Sequence, residues 1–263
     1  MRDFTAQRAL VTGASSGIGE AFAVELAGLG ADLVLVARSH DRLDALAERL
    51  ERESGVSVEV IACDLAAPGA GERLAAEVAG RGLRIDVLVN NAGFAMHGLF
   101  PYADPARVAE QIALNTAAVA DLTGRFLPAM VERRHGAVVN ISSTAGFQPL
   151  PYMAVYGATK AFVLSFSEAL WAEVRPMGVD VLALCPGATQ TSFFDVVGAE
   201  EASFGRRQTS QQVVRAGLRA LAKRRPSVVS GTANSALAKL PRLLTRAAMA
   251  RVTARTLRPR AQG

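Results

Sequence analysis

Short apolar runs rich in β-branched residues alternate along the chain with longer segments whose apolar residues recur at the spacing of a helix. The short runs predict seven strands, near Arg8–Thr12, Asp32–Ala37, Ser57–Cys63, Asp86–Val89, Ala137–Ser142, Asp180–Leu184 and Ser227–Val229. The longer segments predict six helices, near Gly17–Leu29, Asp41–Glu53, Glu72–Gly80, Pro105–Arg134, Met153–Val174 and Ser210–Lys223. This alternation is typical of parallel strands joined by crossover helices, so we expect one doubly wound α/β domain with a seven-stranded parallel sheet.

The end of the chain departs from this alternation, because no strand is predicted after Val229. One helical stripe there is apolar and the opposite side is basic; the stripe contains Leu237, Leu240, Leu244, Ala248 and Val252, and the basic side contains Lys239, Arg242 and Arg246. We therefore expect an α/β domain over residues 1–231 and a basic, amphipathic helical extension over residues 232–263.

Charge is divided unevenly between these two parts. The net charge is +5, yet no Asp or Glu follows Glu201, whereas fourteen Lys or Arg residues do. Such an excess indicates either an acidic partner surface or a solvated arginine-rich helix face. Because Arg251, Arg255 and Arg258 fall towards the apolar side of the predicted helix, packing on the domain or on a second subunit is favoured over peripheral membrane contact. No nucleic-acid-reading module is present, so we expect no nucleic-acid partner.

Composition narrows the class of protein further. Half of the 263 residues are hydrophobic, enough for a substantial core. Cys63 and Cys185 lie in apolar, strand-like contexts without a disulfide framework, so we expect both to be small buried residues in a reducing, cytoplasmic compartment.

The sequence predicts neither a membrane-spanning segment nor a metal site. No apolar run approaches the ~20 residues of a membrane span, and no secretory segment precedes the first strand. His40, His97 and His135 are scattered, so we expect no metal site.

A glycine-rich stretch, "VTGASSGIGE", joins the first predicted strand to the first predicted helix. It places Gly13, Gly17 and Gly19 at the spacing TGxxxGxG. Without Cβ atoms the backbone turns sharply and approaches a pyrophosphate, which the free N–H groups at the start of the helix attract. The position favours a dinucleotide site over a plain turn.

The choice of cofactor depends on the residues that follow the second strand. An acidic side chain there would bind the adenosine ribose and repel a 2′-phosphate, but "VARS" provides Arg38 and Ser39. Arginine presents a planar fork of donors to phosphate, and serine adds a hydroxyl. The sequence therefore predicts NADP(H), unless Arg38 is only an exposed loop residue.

In these features the chain resembles the short-chain dehydrogenase/reductase family over nearly all of residues 6–231. Further stretches that carry the resemblance are Asp64-Leu65, "NNAG" at residues 90–93, "NISS" at 140–143, "YGATK" at 156–160 and "PGATQT" at 186–191. The "VARS" step is similar to the NADP-using, hydroxysteroid-dehydrogenase-like branch. The resemblance implies a Rossmann fold, an oxidoreductase that acts on CH–OH groups, and a homodimer or homotetramer.

The resemblance also implies which residues form the site. The catalytic set is Asn115, Ser143, Tyr156 and Lys160. Besides Tyr156 and Lys160, the cofactor-binding set is Gly13, Ser15, Ser16, Gly17, Ile18, Gly19, Arg38, Ser39, Asp64, Leu65, Asn91, Ala92, Gly93, Pro186, Gly187, Thr189 and Thr191. Asn115 is expected to hold a water in a proton relay to Lys160, although a purely structural hydrogen bond is the alternative.

Ser143 stands thirteen positions before Tyr156, the family's usual interval, and alternation along a strand directs Ser142 to the other face. Ser143 is expected to hydrogen-bond the substrate oxygen, and Tyr156 to exchange a proton with it. Lys160 follows one helical turn after Tyr156 and is expected to contact the nicotinamide ribose. A unit charge ~4 Å away, at an effective dielectric of ~20, is worth ~4 kcal/mol, so we expect Lys160 to lower the Tyr156 pKa by ~3 units.

The segment at about residues 191–209 corresponds to the family's substrate lid. Apolar residues of the lid and of the opposite wall are Phe193, Phe194, Val196, Val197 and Phe204, and Phe94, Met96, Phe147, Leu150 and Tyr152. They favour a hydrophobic ketone, aldehyde or alcohol as substrate, although some of these side chains belong equally well to the core. The alternative function is a non-catalytic NADPH-binding or membrane-associated scaffold that uses the basic tail.

Overall fold

A computed structural model describes residues 4–191 and 207–258. In these ranges seven strands form one parallel sheet: β1 (Arg8–Thr12), β2 (Asp32–Ala37), β3 (Val58–Ala62), β4 (Val87–Asn90), β5 (Gly136–Ile141), β6 (Val179–Cys185) and β9 (Ser227–Val229). The remaining two, β7 (Thr189–Gln190) and β8 (Gln208–Thr209), form a separate small pair. The sheet order is β3-β2-β1-β4-β5-β6-β9, so the direction of winding reverses between β1 and β4. Ligands of doubly wound sheets bind at this reversal, beyond the carboxyl ends of the strands.

Helices connect the strands on both faces of the sheet. They are α1 (Gly17–Ala27), α2 (His40–Ser54), α3 (Ala70–Gly80), α4 (Pro105–Ile112), α5 (Ala118–Glu132), α6 (Ala154–Val174) and α7 (Ser210–Ala222), followed by α8 (Thr232–Leu237) and α9 (Arg246–Thr256). The predicted doubly wound Rossmann fold with a seven-stranded parallel sheet is confirmed. Every predicted strand is present, with ends within one residue of the prediction.

Alternate residues of each strand supply two apolar layers, because successive side chains of a strand point to opposite faces. In β2, Leu33 and Leu35 pack with α1, α2 and α7, whereas Val34 and Val36 pack with α3, α5 and α6. Central strands β4, β5 and β6 are buried throughout, as expected of a parallel sheet covered on both faces. The two layers fix the carboxyl ends of the strands, where the site lies.

The helix predicted over Pro105–Arg134 is present over residues 105–132, but it is not a uniform α-helix. A π-helical turn over Ala113–Ala117 separates α4 from α5, and α5 ends at Glu132. A π turn accommodates one extra residue per turn, and such turns occur frequently at functional sites. Here it contains the buried Asn115.

The extension after residue 231 is helical, but it is not the single helix that the apolar stripe implies. A 3₁₀ turn over Leu240–Leu243 contains Pro241, Leu244 adopts an extended conformation, and the Thr245 side chain caps α9. Because this break resets the helical phase, much of the predicted stripe is exposed: Leu237 is 54% exposed, Leu240 and Leu244 40%, and Val252 47%. The face of the tail that packs on the domain instead contains Met249, Thr253 and Leu257.

Most of the predicted substrate lid, including Phe193, Phe194, Val196, Val197 and Phe204, lies outside the described residues. The strands β7 and β8 flank this segment on either side. Within residues 4–191 and 207–258, no helix combines the length and the apolar character needed to cross a membrane.

Candidate active site

The glycine-rich loop between β1 and α1 has the backbone conformation that its glycines predict. Gly13 and Gly17 have φ values of +64° and +61°, which residues with a side chain rarely adopt. A Cβ on Gly19 would lie 2.2 Å from the carbonyl oxygen of Gly13 and 2.5 Å from Nδ2 of Asn91. The loop and the start of α1 therefore form a cradle that side chains would fill, and its free N–H groups suit a pyrophosphate.

Hydrogen bonds from β1 hold the segment after β4 against this loop. Asn91 donates its side-chain amide to the carbonyls of Thr12 and Gly13, at 2.9 and 3.2 Å. The Thr12 hydroxyl accepts the backbone N–H groups of Asn91 and Ala92, at 2.9 and 3.0 Å. Sequence reasoning missed this role of Thr12; its position at the carboxyl end of β1, next to the switch point, was the available signal.

The cleft has a volume of about 610 Å³ and runs across the carboxyl ends of the strands. It brings together all the predicted site residues except Gly19 and Asn115. Those that line it are Gly13, Ser15, Ser16, Gly17, Ile18, Arg38, Ser39, Asp64, Leu65, Asn91, Ala92, Gly93, Ser143, Tyr156, Lys160, Pro186, Gly187, Thr189 and Thr191.

At the end of the cleft beside β2, the exposed side chain of Arg38 lies with residues that sequence reasoning missed. Arg42, Arg107 and Glu110 line the same region. Arg42 lies in the first turn of α2, whereas Arg38 lies in the loop before that helix. Cys63 also lines the cleft and is only partly buried, so the expectation of two buried cysteines holds for Cys185 alone.

Ser143 and Ser142 have different surroundings, as strand alternation predicts. The Ser143 side chain hydrogen-bonds Tyr156 and accepts the backbone N–H of Ala145 at 3.1 Å. The Ser142 hydroxyl instead donates to the carbonyl of Lys160 at 2.7 Å and is buried. Ser143 is thus the serine placed next to the phenol, and Ser142 ties β5 to α6.

The electrostatics of Tyr156 differ from the prediction. Burial raises the pKa of Tyr156 from 10.0 to about 12, and the hydrogen bond from Ser143 lowers it only in part. Burial likewise lowers the pKa of Lys160 from 10.5 to about 8. The Lys160 ammonium donates to the carbonyl of Ile141 at 2.7 Å and lies 5.7 Å from the centre of the Tyr156 ring. The expected fall in the Tyr156 pKa was therefore wrong, because desolvation of the phenol is the largest effect on that pKa.

Asn115 lies behind the cleft wall and clamps the segment after β4. Its side-chain amide donates to the Phe94 carbonyl at 2.9 Å and to Thr159 Oγ1 at 3.2 Å, and its Oδ1 accepts the Phe94 N–H at 3.1 Å. A Cβ on Gly93 would lie 2.8 Å from Asn115 Oδ1 and 3.7 Å from Lys160 Nζ. The structural hydrogen bonds that were the alternative for Asn115 are present, and they hold it near Lys160.

The other end of the cleft is apolar and includes part of the tail. Of the predicted wall residues, Leu150 lines this end and Phe94 lines the cleft nearer Arg107, whereas Met96, Phe147 and Tyr152 do not line the cleft. Residues that sequence reasoning missed here come from the last helices: Leu237, Ala238, Leu240, Met249, Val252, Thr253, Thr256 and Leu257. Their helical spacing was visible in the sequence, but nothing in it indicated which face meets the cleft.

The sequence matches the short chain dehydrogenase family profile over residues 7–202. A very-long-chain 3-oxoacyl-CoA reductase from Bos taurus is 38% identical over 182 residues, which cover 68% of this chain and 58% of the relative. A 17-beta-hydroxysteroid dehydrogenase type 3 from Rattus norvegicus is 36% identical over 188 residues, covering 70% of this chain and 60% of the relative. The chain thus matches less than two thirds of the length of these curated relatives.

A solved structure agrees over almost the whole chain. It is a short-chain dehydrogenase from Sphingobium yanoikuyae in complex with NADPH, 36% identical, with a TM-score of 0.82 and 98% of each chain covered. The profile match over most of the chain confirms the family that the ordered motifs predict. The chain belongs to the short-chain dehydrogenase family of oxidoreductases.

Proposed function

We propose that the protein is an NADP(H)-dependent oxidoreductase that interconverts a hydrophobic ketone or aldehyde and the corresponding alcohol. One observation carries the proposal: the partly buried Tyr156 phenol hydrogen-bonds Ser143 beside Lys160, in the same cleft as the glycine-rich loop. Two relatives are named for a 3-oxoacyl-CoA and for a hydroxysteroid. The substrate proposed here has the same general character, a carbonyl on a large apolar body.

The residues along the cleft fit NADP(H). The cradle at Gly13–Gly19 and the start of α1 hold the pyrophosphate, and Arg38 with Ser39 holds the 2′-phosphate. Asp64 and Leu65 border the adenine, while Pro186, Gly187, Thr189 and Thr191 lie at the nicotinamide end. When bound, NADPH supplies the hydride that reduces a carbonyl carbon.

Tyr156 supplies the proton that the carbonyl oxygen needs once the carbon is reduced. With a pKa of about 12, its phenol is protonated at neutral pH, which suits a donor in the direction of carbonyl reduction. The Ser143 hydroxyl lies beside the same phenol and orients the substrate oxygen by a hydrogen bond. In the reverse direction the Tyr156 phenolate would accept the proton of an alcohol while the Ser143 hydroxyl hydrogen-bonds its oxygen.

Lys160 stabilises the phenolate that remains after proton transfer. Its pKa of about 8 means that the ammonium persists at neutral pH even though the side chain is buried. A cation near the ring lowers the energy of the anion more than that of the neutral phenol. Asn115 positions this part of the site and holds the water that returns a proton through Lys160.

The substrate body occupies the apolar end of the cleft. Leu150, Met153, Met249 and Leu257 provide a wall without charge. Apolar walls with a few polar groups at one end are typical of sites that bind small hydrophobic molecules. Under this proposal α9 is part of the substrate pocket, and the boundary between residues 231 and 232 separates two pieces of chain that share one site.

A single pair of variants tests the proposal. NADPH oxidation is measured with a panel of bulky ketones and aldehydes for the wild type, Tyr156→Phe and the matched control Tyr102→Phe, whose ring is 85% exposed. Loss of the proton donor lowers kcat by about 10² to 10⁴, whereas the control stays at the wild-type rate. NADPH binding without turnover of any carbonyl would instead support the scaffold function.

We further propose that the protein forms a homodimer or homotetramer, since Phe162 on α6 is 43% exposed and stacks on Phe166 with ring centres 5.6 Å apart. The tail offers a second contact, because Leu244 is 40% exposed and does not line the cleft. Light scattering after gel filtration tests the assembly. Sedimentation with anionic vesicles tests peripheral membrane contact by the tail.

A further inference from the structure

A carboxylate from α4 faces the arginine that is proposed to bind the 2′-phosphate. Glu110 Oε1 lies 3.9 Å from Arg38 Nη1, and both residues line the cleft. The other oxygen of Glu110 pairs with Arg107, whose guanidinium carbon lies 4.4 Å above the Phe94 ring. Glu110 therefore sits between two arginines, on the wall of the cleft opposite the loop after β2.

The position of Glu110 is well defined by its own helix. Gln111, the next residue, is buried and donates to the Phe94 carbonyl at 3.0 Å, as Asn115 also does. These bonds fix α4 against the segment after β4. Only 26% of the Glu110 side chain is exposed, whereas Arg38 is 71% exposed. The carboxylate is thus the fixed partner of the pair, and the arginine is the one that can reorient.

The two nicotinamide cofactors respond oppositely to a carboxylate at this place. A 2′-phosphate competes with Glu110 for Arg38 and is repelled by its charge, whereas a ribose 2′-hydroxyl can donate a hydrogen bond to it. NAD-selective doubly wound folds carry such an acidic group after β2. In this chain the residue following β2 is Arg38, and among the described residues that line the cleft the carboxylates belong to Asp64 and Glu110.

We propose that Glu110 is a specificity-determining residue that weakens the preference for NADPH over NADH, so that the protein binds both cofactors. This inference rests on the proposed function for the identity of the nucleotide site. Glu110 lies on the wall opposite the loop after β2. There it does what the acidic residue after β2 does in NAD-selective folds, because its carboxylate can accept a hydrogen bond from the ribose. Its removal strengthens NADPH binding through Arg38 and does not strengthen NADH binding.

The test measures binding to the full-length protein without substrate. Dissociation constants for NADPH, NADH, 2′,5′-ADP and 5′-AMP are determined by titration calorimetry for the wild type and Glu110→Gln. The matched control is Glu173→Gln, an equal change in charge at an exposed position of α6 that does not line the cleft. We expect Glu110→Gln to raise the NADPH:NADH affinity ratio about three- to tenfold, with the same gain for 2′,5′-ADP over 5′-AMP, and Glu173→Gln to leave both ratios unchanged.

A double variant separates this mechanism from a general change in charge. In an Arg38→Gln background, Glu110→Gln should strengthen NADPH binding less than it does with Arg38 present, because competition for Arg38 is gone and only the direct charge repulsion is relieved. An unchanged or lower NADPH:NADH ratio in Glu110→Gln, or a gain that is just as large without Arg38, overturns the inference while the proposed function stands. Undetectable binding of all four nucleotides to the wild type overturns both.

Discussion

The Nε2 atom of His97 lies 2.9 Å from the carbonyl oxygen of Leu257, which joins the loop after β4 to the end of the tail. The Thr253 hydroxyl makes a second such link, donating to the carbonyl of Pro149 at 3.1 Å. The Leu257 side chain is also fully buried, and it packs in one apolar cluster with Leu150. The tail is thus held on the wall of the substrate pocket by both polar and apolar contacts.

Replacing Leu257 with Ala should loosen the tail and damage the substrate pocket more than the cofactor site. Truncating a buried leucine costs about 2–5 kcal/mol, and Leu257 is 0% exposed. We expect a lower free energy of unfolding in urea and a higher KM for the ketone, while the dissociation constant for NADPH stays within about twofold of the wild type, since cofactor contacts lie elsewhere.

The control for this variant is Leu244→Ala, which truncates a leucine of the same tail that is 40% exposed. It should lower the free energy of unfolding by less than about 1 kcal/mol, because the Leu244 side chain is partly exposed and its truncation removes little buried apolar surface. Equal effects of the two substitutions on KM and stability would show that the tail does not form the pocket wall.

The two adjacent serines after β5 should have separable effects. Ser143→Ala removes the hydroxyl beside Tyr156 and should lower kcat about 10²-fold or more, with little loss of stability. Ser142→Ala removes a buried bond to the Lys160 carbonyl and should chiefly lower stability, by about 1 kcal/mol. Steady-state kinetics and urea denaturation of both variants check this; a larger kcat loss in Ser142→Ala would reverse the assignment.

Features carried by local pattern could be predicted from the sequence. The four-residue run Leu33–Val36 is long enough to identify a buried strand, and the glycines before α1 mark a phosphate-binding turn wherever they join a strand to a helix. Ser143 and Tyr156 were paired through their interval in the chain, and the structure brings their side chains together. These predictions depended only on residues that are close together in the sequence, or on a spacing that is typical of the family.

What escaped prediction depends on contacts between distant parts of the chain. His97 and Leu257 are 160 positions apart, and Arg38 meets Glu110 only because the sheet order brings α2 and α4 to the same cleft. The π turn at Asn115 inserts one extra residue into a helix, and the spacing of apolar residues in the sequence does not reveal this insertion. The raised pKa of Tyr156 also escapes prediction, because a sequence shows which charge is near but not how strongly the phenol is desolvated.

Gly19→Ala should disrupt nucleotide binding because the new methyl has no room. A Cβ there would lie 2.2 Å from the Gly13 carbonyl oxygen, so the phosphate loop must shift. We expect at least about a tenfold loss of NADPH affinity and a lower melting temperature.

The control for Gly19→Ala is Gly80→Ala at the end of α3, where the added Cβ meets no other part of the structure within 4 Å. That variant should keep its affinity and gain up to about 1 kcal/mol of stability; equal losses in both would argue against the close approach of the loop.

The pKa of Lys160 predicts how NADPH binding depends on pH. The buried amine has a pKa of about 8, so it is an ammonium below that pH and neutral above it. Because the cation attracts a highly anionic ligand, affinity should fall as pH rises from 7 to 9.5, most steeply near 8. The phosphate groups are already ionised in this range, since their second pKa is about 6, and Tyr156 stays protonated up to about 12. Titration of NADPH fluorescence at each pH measures the trend.

The control variant is Lys160→Met, which should bind NADPH more weakly and lose the pH dependence, because its side chain has no proton to release. An affinity that rises between pH 7 and 9.5, or a Lys160→Met profile that matches the wild type, would show that Lys160 is not the group that titrates.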